Sequence, residues 1–137
     1  MPYQKTLSII KPDAVKAGNA DNINSMIEQT GLKISERREL TLSKKEAEQF
    51  YLVHADKPFY NELCEFMTSG PIIVQILEGD NAIEVYRKIM GTTDPKTADV
   101  NTIRKQFASS IQENAVHGSD SEENALKELK FFFDKSI

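Results

Sequence analysis

The sequence predicts an α/β chain of the α+β kind, in which one sheet carries helices. Three observations point there. Short runs rich in β-branched and apolar residues alternate with stretches of helical period along the 137 residues. Glycine and proline punctuate the joints between them. The G-x-G-x-x-G turn of a doubly wound dinucleotide fold is absent.

The elements follow in order. "TLSII" (6–10) reads as a first strand. Residues 20–31 form a helix, with Ile23, Met26 and Ile27 at helical spacing and Gly31 as its stop. "LKISERRELTL" (32–42) alternates as a second strand. A helix over 43–55 opens on a capping box, Ser43 with Glu46. Lys57 and Pro58 interrupt it, and residues 58–67 restart it with Pro58 at the first helical position. "PIIVQILEG" (71–79) is an apolar strand, predicted to be central. A helix runs from Asn81 to a stop at Gly91, followed by a loop (92–95) and a short helix near 101–108. "NAV" (114–116) gives a last short strand, and 121–133 a last helix. The order is β, α, β, α, α, β, α, α, β, α. Its β-α-β-β-α-β core matches a ferredoxin-like sandwich, an antiparallel four-stranded sheet with added helices. One domain is expected over 1–137.

Composition excludes several classes. Apolar residues make up 39% and charged residues 28%, an ordinary globular balance. The longest uncharged apolar run, "PIIVQIL", is too short to span a bilayer. The first ten residues lack the features of a signal peptide. Cys64 is the lone cysteine, so no internal disulfide can form. Its place in a helical pattern suits a core or groove residue better than a nucleophile. A cytoplasmic location is expected. With a net charge of −4, the chain is not built to wrap a nucleic-acid backbone or to lie on an acidic membrane.

The chemistry gathers around "NAVHGSDS" (114–121). The last helix should start near Ser121, with Glu122 and Glu123 in its first turn. Residues 118–121 then offer free backbone N–H groups, and such a helix start binds phosphate. His117 beside it reads either as a nucleophile next to an anion site or as a half-buried histidine bonded to a neighbour. His54 carries only the second reading. Arg87 and Arg104 flank the 92–95 loop, and Lys11 closes the first strand. The arginine fork suits phosphate oxygens. No P-loop, D-F-G, H-R-D or zinc spacing occurs. Each cation alone is as well read as a surface residue, so residue chemistry alone reaches no further than a candidate phosphate site with a nucleophilic histidine.

"NAVHGSDS" closely resembles the active-site signature of nucleoside diphosphate kinases, N-x-x-H-G-S-D-[ST]. "TLSIIKPDAV" resembles that family's first strand and K-P-D turn. "FYLVHADKPFYNELCEFMTSGPIIVQILEGDNAI" is similar to its middle third, and "YRKIMGTTDP" and "TIRKQF" to the segments that follow. The resemblance covers nearly the whole chain.

It implies an enzyme that moves the γ-phosphate of a nucleoside triphosphate to a nucleoside diphosphate. The mechanism it implies is ping-pong, through a phosphohistidine on His117. Lys11, Arg87 and Arg104 match the cations that hold the phosphates. Thr93 and Asn114 match contacts to phosphate and ribose. Phe59 matches the aromatic under the base, and stacking there tolerates every base. Glu128 matches the carboxylate that orients the imidazole, Ser119 a serine of the same network, and Tyr51 a tyrosine near the histidine. The implied cofactor is Mg2+, held mainly by the nucleotide phosphates, with Asp120 near it through water. A homo-oligomer, tetramer or hexamer, is implied as well. The chain departs from the family's pattern at "ADVNTIR", where Val100 and Asn101 replace Pro-Gly, and at Ala17, Asp21 and Gln106. None of these removes a catalytic match. A nucleotide binder without turnover and a phosphohistidine relay to a protein are the rival readings.

Overall fold

The computed structural model describes residues 2–111 and 113–133. The last four positions of the expected domain, 134–137, lie outside them. Four strands form one antiparallel sheet: β1 (Tyr3–Ile10), β2 (Lys33–Leu40), β3 (Ile72–Asp80) and β4 (Val116–Gly118), in the order β2-β3-β1-β4. The helices are α1 (Pro12–Lys16), α2 (Ala20–Gln29), α3 (Lys44–Phe50), α4 (Tyr60–Met67), α5 (Ala82–Met90), α6 (Ile103–Phe107) and α7 (Glu122–Phe133). A 3-10 turn, Leu52–His54, follows α3. This is the ferredoxin-like arrangement, with β1 and β3 at its centre as expected for β3.

Both faces of the sheet are covered, which explains the apolar run of β3. On one face Ile10, Ile73 and Leu77 pack with Ile23 and Ile27 of α2 and Tyr86 and Met90 of α5. On the other, Leu7, Ile9, Val74 and Ile76 pack with Ala47 of α3, Met67 of α4 and Leu129 and Phe133 of α7. Alternate side chains of β3 therefore meet two separate cores, so an antiparallel strand needs apolar residues at consecutive positions. One polar chain crosses the first core. Asn24 Nδ2 donates to Gln75 Oε1 (2.8 Å), Gln75 Nε2 to Ser8 Oγ (3.4 Å), and Ser8 Oγ bonds the Tyr86 hydroxyl (2.8 Å). Buried polar groups persist when each finds a partner of this kind.

Three expectations are corrected. The K-P-D segment forms a short helix, α1, with Pro12 in its first turn, where proline's missing N–H is harmless. The last strand lies at 116–118 rather than 114–116, because Ala115 has φ 73° and a left-handed residue cannot continue a ladder. His117 consequently sits within β4, paired with Ile9 of β1, instead of in the loop before α7. Pro58 is not at the first helical position: α4 starts at Tyr60 with Phe59 as its N-cap, and Pro58 lies in the turn that the Tyr60 N–H closes onto the Lys57 carbonyl (3.2 Å). The other elements fall within a few residues of their predicted places, and the Ser43–Glu46 capping box is formed on both sides. Arg38 of β2 ties the sheet to α7. It donates to the Phe132 carbonyl (3.0 Å) near the end of α7, and its guanidinium lies over the Phe133 ring at 4.9 Å.

Candidate active site

Strand β4 is short because its two ends are held differently. At its far end Gly118 lies against α5. A Cβ there would stand 2.6 Å from Met90 Sδ and 2.8 Å from the Tyr86 ring, so only glycine lets β4 approach so closely. Beyond Gly118 the chain turns into α7. Ser121 caps that helix, accepting the Asn124 N–H at 3.1 Å. His117 thus projects from a strand pinned on one side by β1 and followed by a helix start.

The imidazole is oriented by α7. His117 Nε2 lies 2.9 Å from Glu128 Oε1, and Ser119 Oγ donates to the same oxygen at 2.7 Å. Ser119 Oγ also accepts the Leu7 N–H at 3.4 Å, which ties this network to β1. A carboxylate that accepts from Nε2–H fixes the tautomer and leaves the lone pair on Nδ1. The Phe50 ring packs edge-on to the imidazole at 5.6 Å.

His117 faces a cleft of about 590 Å³ whose walls include Arg87, Thr93, Arg104, Asp120 and Glu128. Arg104 is 9% exposed, and backbone carbonyls hold its guanidinium. Nη2 donates to Val116 (3.0 Å), Nη1 to Gly91 (3.1 Å) and Nε to Asn114 (3.4 Å). Burial lowers its pKa from the ordinary value, with the neighbouring Arg87 charge acting the same way. Arg87 Nη1 reaches the Gly118 carbonyl at 3.5 Å. Lys11 stands behind this wall, 6% exposed, with Nζ donating to Asn114 Oδ1 at 2.8 Å. Burial, and then the charge of Arg104, push its pKa down to about 8. Three cations held close together form a site that attracts an anion.

The remaining expected residues fall into two groups. Asn114 and Ser119 are buried and act through Lys11 and Glu128 as described. Tyr51 is buried with an unpartnered hydroxyl and does not bond His117. Burial, and then the Glu128 charge, raise its pKa. Phe59 lies outside the cleft wall, 45% exposed, 5.6 Å from the ring of His54, which does line the cleft. His54 and Phe50 are site residues that sequence reasoning passed over. Nothing in their local sequence marks them, since what places them is the fold of 50–59 across the cleft. Asp120 lines the cleft and accepts from Asn124 Nδ2 at 2.6 Å. That hydrogen bond holds its carboxyl below the usual range.

Among the described residues no group of three or more His, Cys, Asp or Glu could cage a metal ion. Asp120, beside these cations and held below the usual carboxyl range, suits a metal that arrives already coordinated by phosphates. A second depression, of about 610 Å³, lies beyond Arg87, and its wall carries the carboxylates of Glu84, Asp120 and Glu122. That charge disfavours phosphate there.

A carboxylate-oriented histidine on a ferredoxin-like sheet, opposite buried cations, defines a phosphotransferase. Residues 4–137 match the family model described as nucleoside diphosphate kinase. The chain belongs to the nucleoside diphosphate kinase family, and its activity is that of a nucleoside diphosphate kinase. It is 60% identical to the nucleoside diphosphate kinase of Wolbachia pipientis wMel over 133 residues, 97% of this chain and 96% of that one. It is 55% identical to that of Campylobacter lari over 97% of each. Among solved structures, that of the Aquifex aeolicus enzyme superposes with a TM-score of 0.94 at 39% identity, covering 96% of both chains. The Halobacterium salinarum enzyme, in complex with CDP, superposes at 0.93 with 34% identity, over 98% of this chain and 90% of that one. The family works on nucleotides complexed with magnesium. No helix among the described residues is long and apolar enough to cross a membrane.

Proposed function

We propose that the reaction runs by ping-pong through a phosphohistidine at Nδ1 of His117. The observation that carries this reading is the 2.9 Å contact between Nε2 and Glu128, which leaves Nδ1 as the free nucleophile. Phosphoryl transfer depends mostly on positioning and on stabilising charge as it shifts between oxygens. Arg87 and Arg104 hold the transferring group, and Lys11 and Asn114 back them from behind the wall. Thr93 bonds phosphate at the cleft mouth. Glu128 stabilises the imidazole as it acquires the phosphate, and Ser119 holds Glu128 in turn. Tyr51 supports the network through packing, as the neighbour of Phe50, whose ring meets it at 4.9 Å. Phe59 stacks on the base and reads none of its edges. Mg2+ would enter with the nucleotide, neutralising phosphate charge, with Asp120 placed to meet it through water.

A homo-oligomer, tetramer or hexamer, also belongs to this reading, as do a single domain over 1–137 and a cytoplasmic location. The test is a two-step label experiment. Protein incubated with γ-labelled ATP and freed of nucleotide should carry label, then pass it to an added nucleoside diphosphate. A pure nucleotide binder takes up no label. A relay keeps it until a protein acceptor is supplied.

A further inference from the structure

We propose that Asp13 is a positioning residue for phosphoryl transfer: its carboxylate holds Ala115 in the left-handed turn that sets Asn114 and Arg104 against His117. This rests on His117 being the phosphate acceptor and adds a residue that does not line the cleft.

Ala115 is fully buried at φ 73°, a conformation that a side chain with a Cβ rarely adopts. The Val116 N–H donates to the Asn114 carbonyl at 2.8 Å, closing a three-residue turn around Ala115. Such a γ-turn with positive φ is strained, so the surroundings must impose it. Both backbone groups of Ala115 are gripped from one place. Its carbonyl accepts the Lys11 N–H at 2.8 Å, and its N–H donates to Asp13 Oδ2 at 3.1 Å. The K-P-D segment is therefore a clamp, with Pro12 starting α1 between the two jaws.

What the clamp holds is the cation geometry. Arg104 donates to the carbonyls on either side of Ala115, Nε to Asn114 at 3.4 Å and Nη2 to Val116 at 3.0 Å. The turn fixes the angle between those carbonyls, and hence the direction of the guanidinium. It also fixes Asn114 Oδ1, which receives Lys11 Nζ. His117 is the residue immediately after the turn. A small rotation at Ala115 would move both cations relative to the imidazole, and transfer is sensitive to displacements of that size. Asp13 is half-buried at a cost, and the backbone N–H groups of Ala14 and Asp13, as well as that of Ala115, act on its carboxylate. Its Oδ1 is buried with no hydrogen-bond partner, and burial pushes its carboxyl pKa up. The competing role is support of the first turn of the five-residue α1. On that reading, loss of the carboxylate lowers stability and leaves chemistry alone.

Single-turnover phosphorylation of the enzyme by saturating magnesium-ATP, well below the pKa of Lys11, separates the two when read beside thermal unfolding. Asp13→Ala should slow phosphorylation about ten-fold or more while the protein remains folded. Asp13→Asn, which keeps an acceptor for Ala115, should recover most of the rate. Asp13→Ala combined with Ala115→Gly should recover part of it, because glycine takes the turn unaided. If Asp13→Ala does not fold, Asp13→Asn against Asp13→Glu decides, with Asn fast and the displaced carboxylate of Glu slow. A wild-type rate in Asp13→Ala with only a lower Tm overturns the proposal. So does an Asn variant as slow as Ala or Glu, or a glycine that restores nothing. Failure of wild-type protein to take up label would instead overturn the phosphohistidine reading itself.

Discussion

Glu128 decides between two readings of its own position. A glutamate in the second turn of α7 could simply be solvated, where a charge pair contributes a few tenths of a kcal/mol. Its 2.9 Å contact with Nε2 and the Ser119 bond on the same oxygen argue for orientation of the imidazole. Glu128→Gln should slow phosphorylation by ATP by about ten-fold or more with little change in stability. An unchanged rate in rapid-quench measurements would return it to the solvated class. Lys11 makes a second prediction, in pH. Its pKa in the free enzyme lies at about 8, so it is charged below that pH and neutral above. Bound phosphate must then restore its proton, so KM for nucleotide should rise as pH climbs through about 8, while kcat at saturation changes less. The same shift has an effect on stability. The unfolded chain holds this proton up to the ordinary 10.5, so unfolding takes up a proton between about 8 and 10.5. The cost of the buried cation is full below about 8 and is relieved as pH rises through that window. A KM that stays flat across it would show that Lys11 remains charged in the free cleft.

At the scale of elements, β4 carries the site, and Gly118 lets it sit where it does. Gly118→Ala should destabilise the fold by about 1–3 kcal/mol, since Met90 and Tyr86 must shift to admit a methyl group. It should also slow phosphorylation of His117, because the strand that bears it is displaced. Urea unfolding followed by single-turnover kinetics reads both, and an unperturbed variant would show that α5 yields freely. The position of β4 was also the least legible element in the sequence. "NAV" has strand-forming residues, but Ala115 is bent by contacts with Lys11 and Asp13, a hundred residues away in the chain. Local pattern cannot register such a contact. The short α1 was hidden for a related reason, because Pro12 reads equally as a turn residue. By contrast, α2, β3 and α5 were legible because both their period and their stops lie within the local sequence.

For the whole molecule, the fold class followed from element order, since few topologies accommodate this alternation. Periodicity did not reveal that a second helical layer, α3, α4 and α7, would cover the outer face. That layer brings Glu128 and Phe50 to His117 and creates the cleft. The resemblance named the cations and the histidine. The structure adds how they are held: Arg104 by three carbonyls, Lys11 by Asn114, and the imidazole by α7. The central claim is that these elements converge to leave one imidazole nitrogen, Nδ1, free to carry phosphate. The most direct measurement is phosphorus NMR and peptide mapping of protein phosphorylated with magnesium-ATP and separated from nucleotide. The account predicts one phosphate per chain, on Nδ1 of His117, discharged on addition of a nucleoside diphosphate. Phosphate on Nε2, on another residue, or on no residue at all would contradict it.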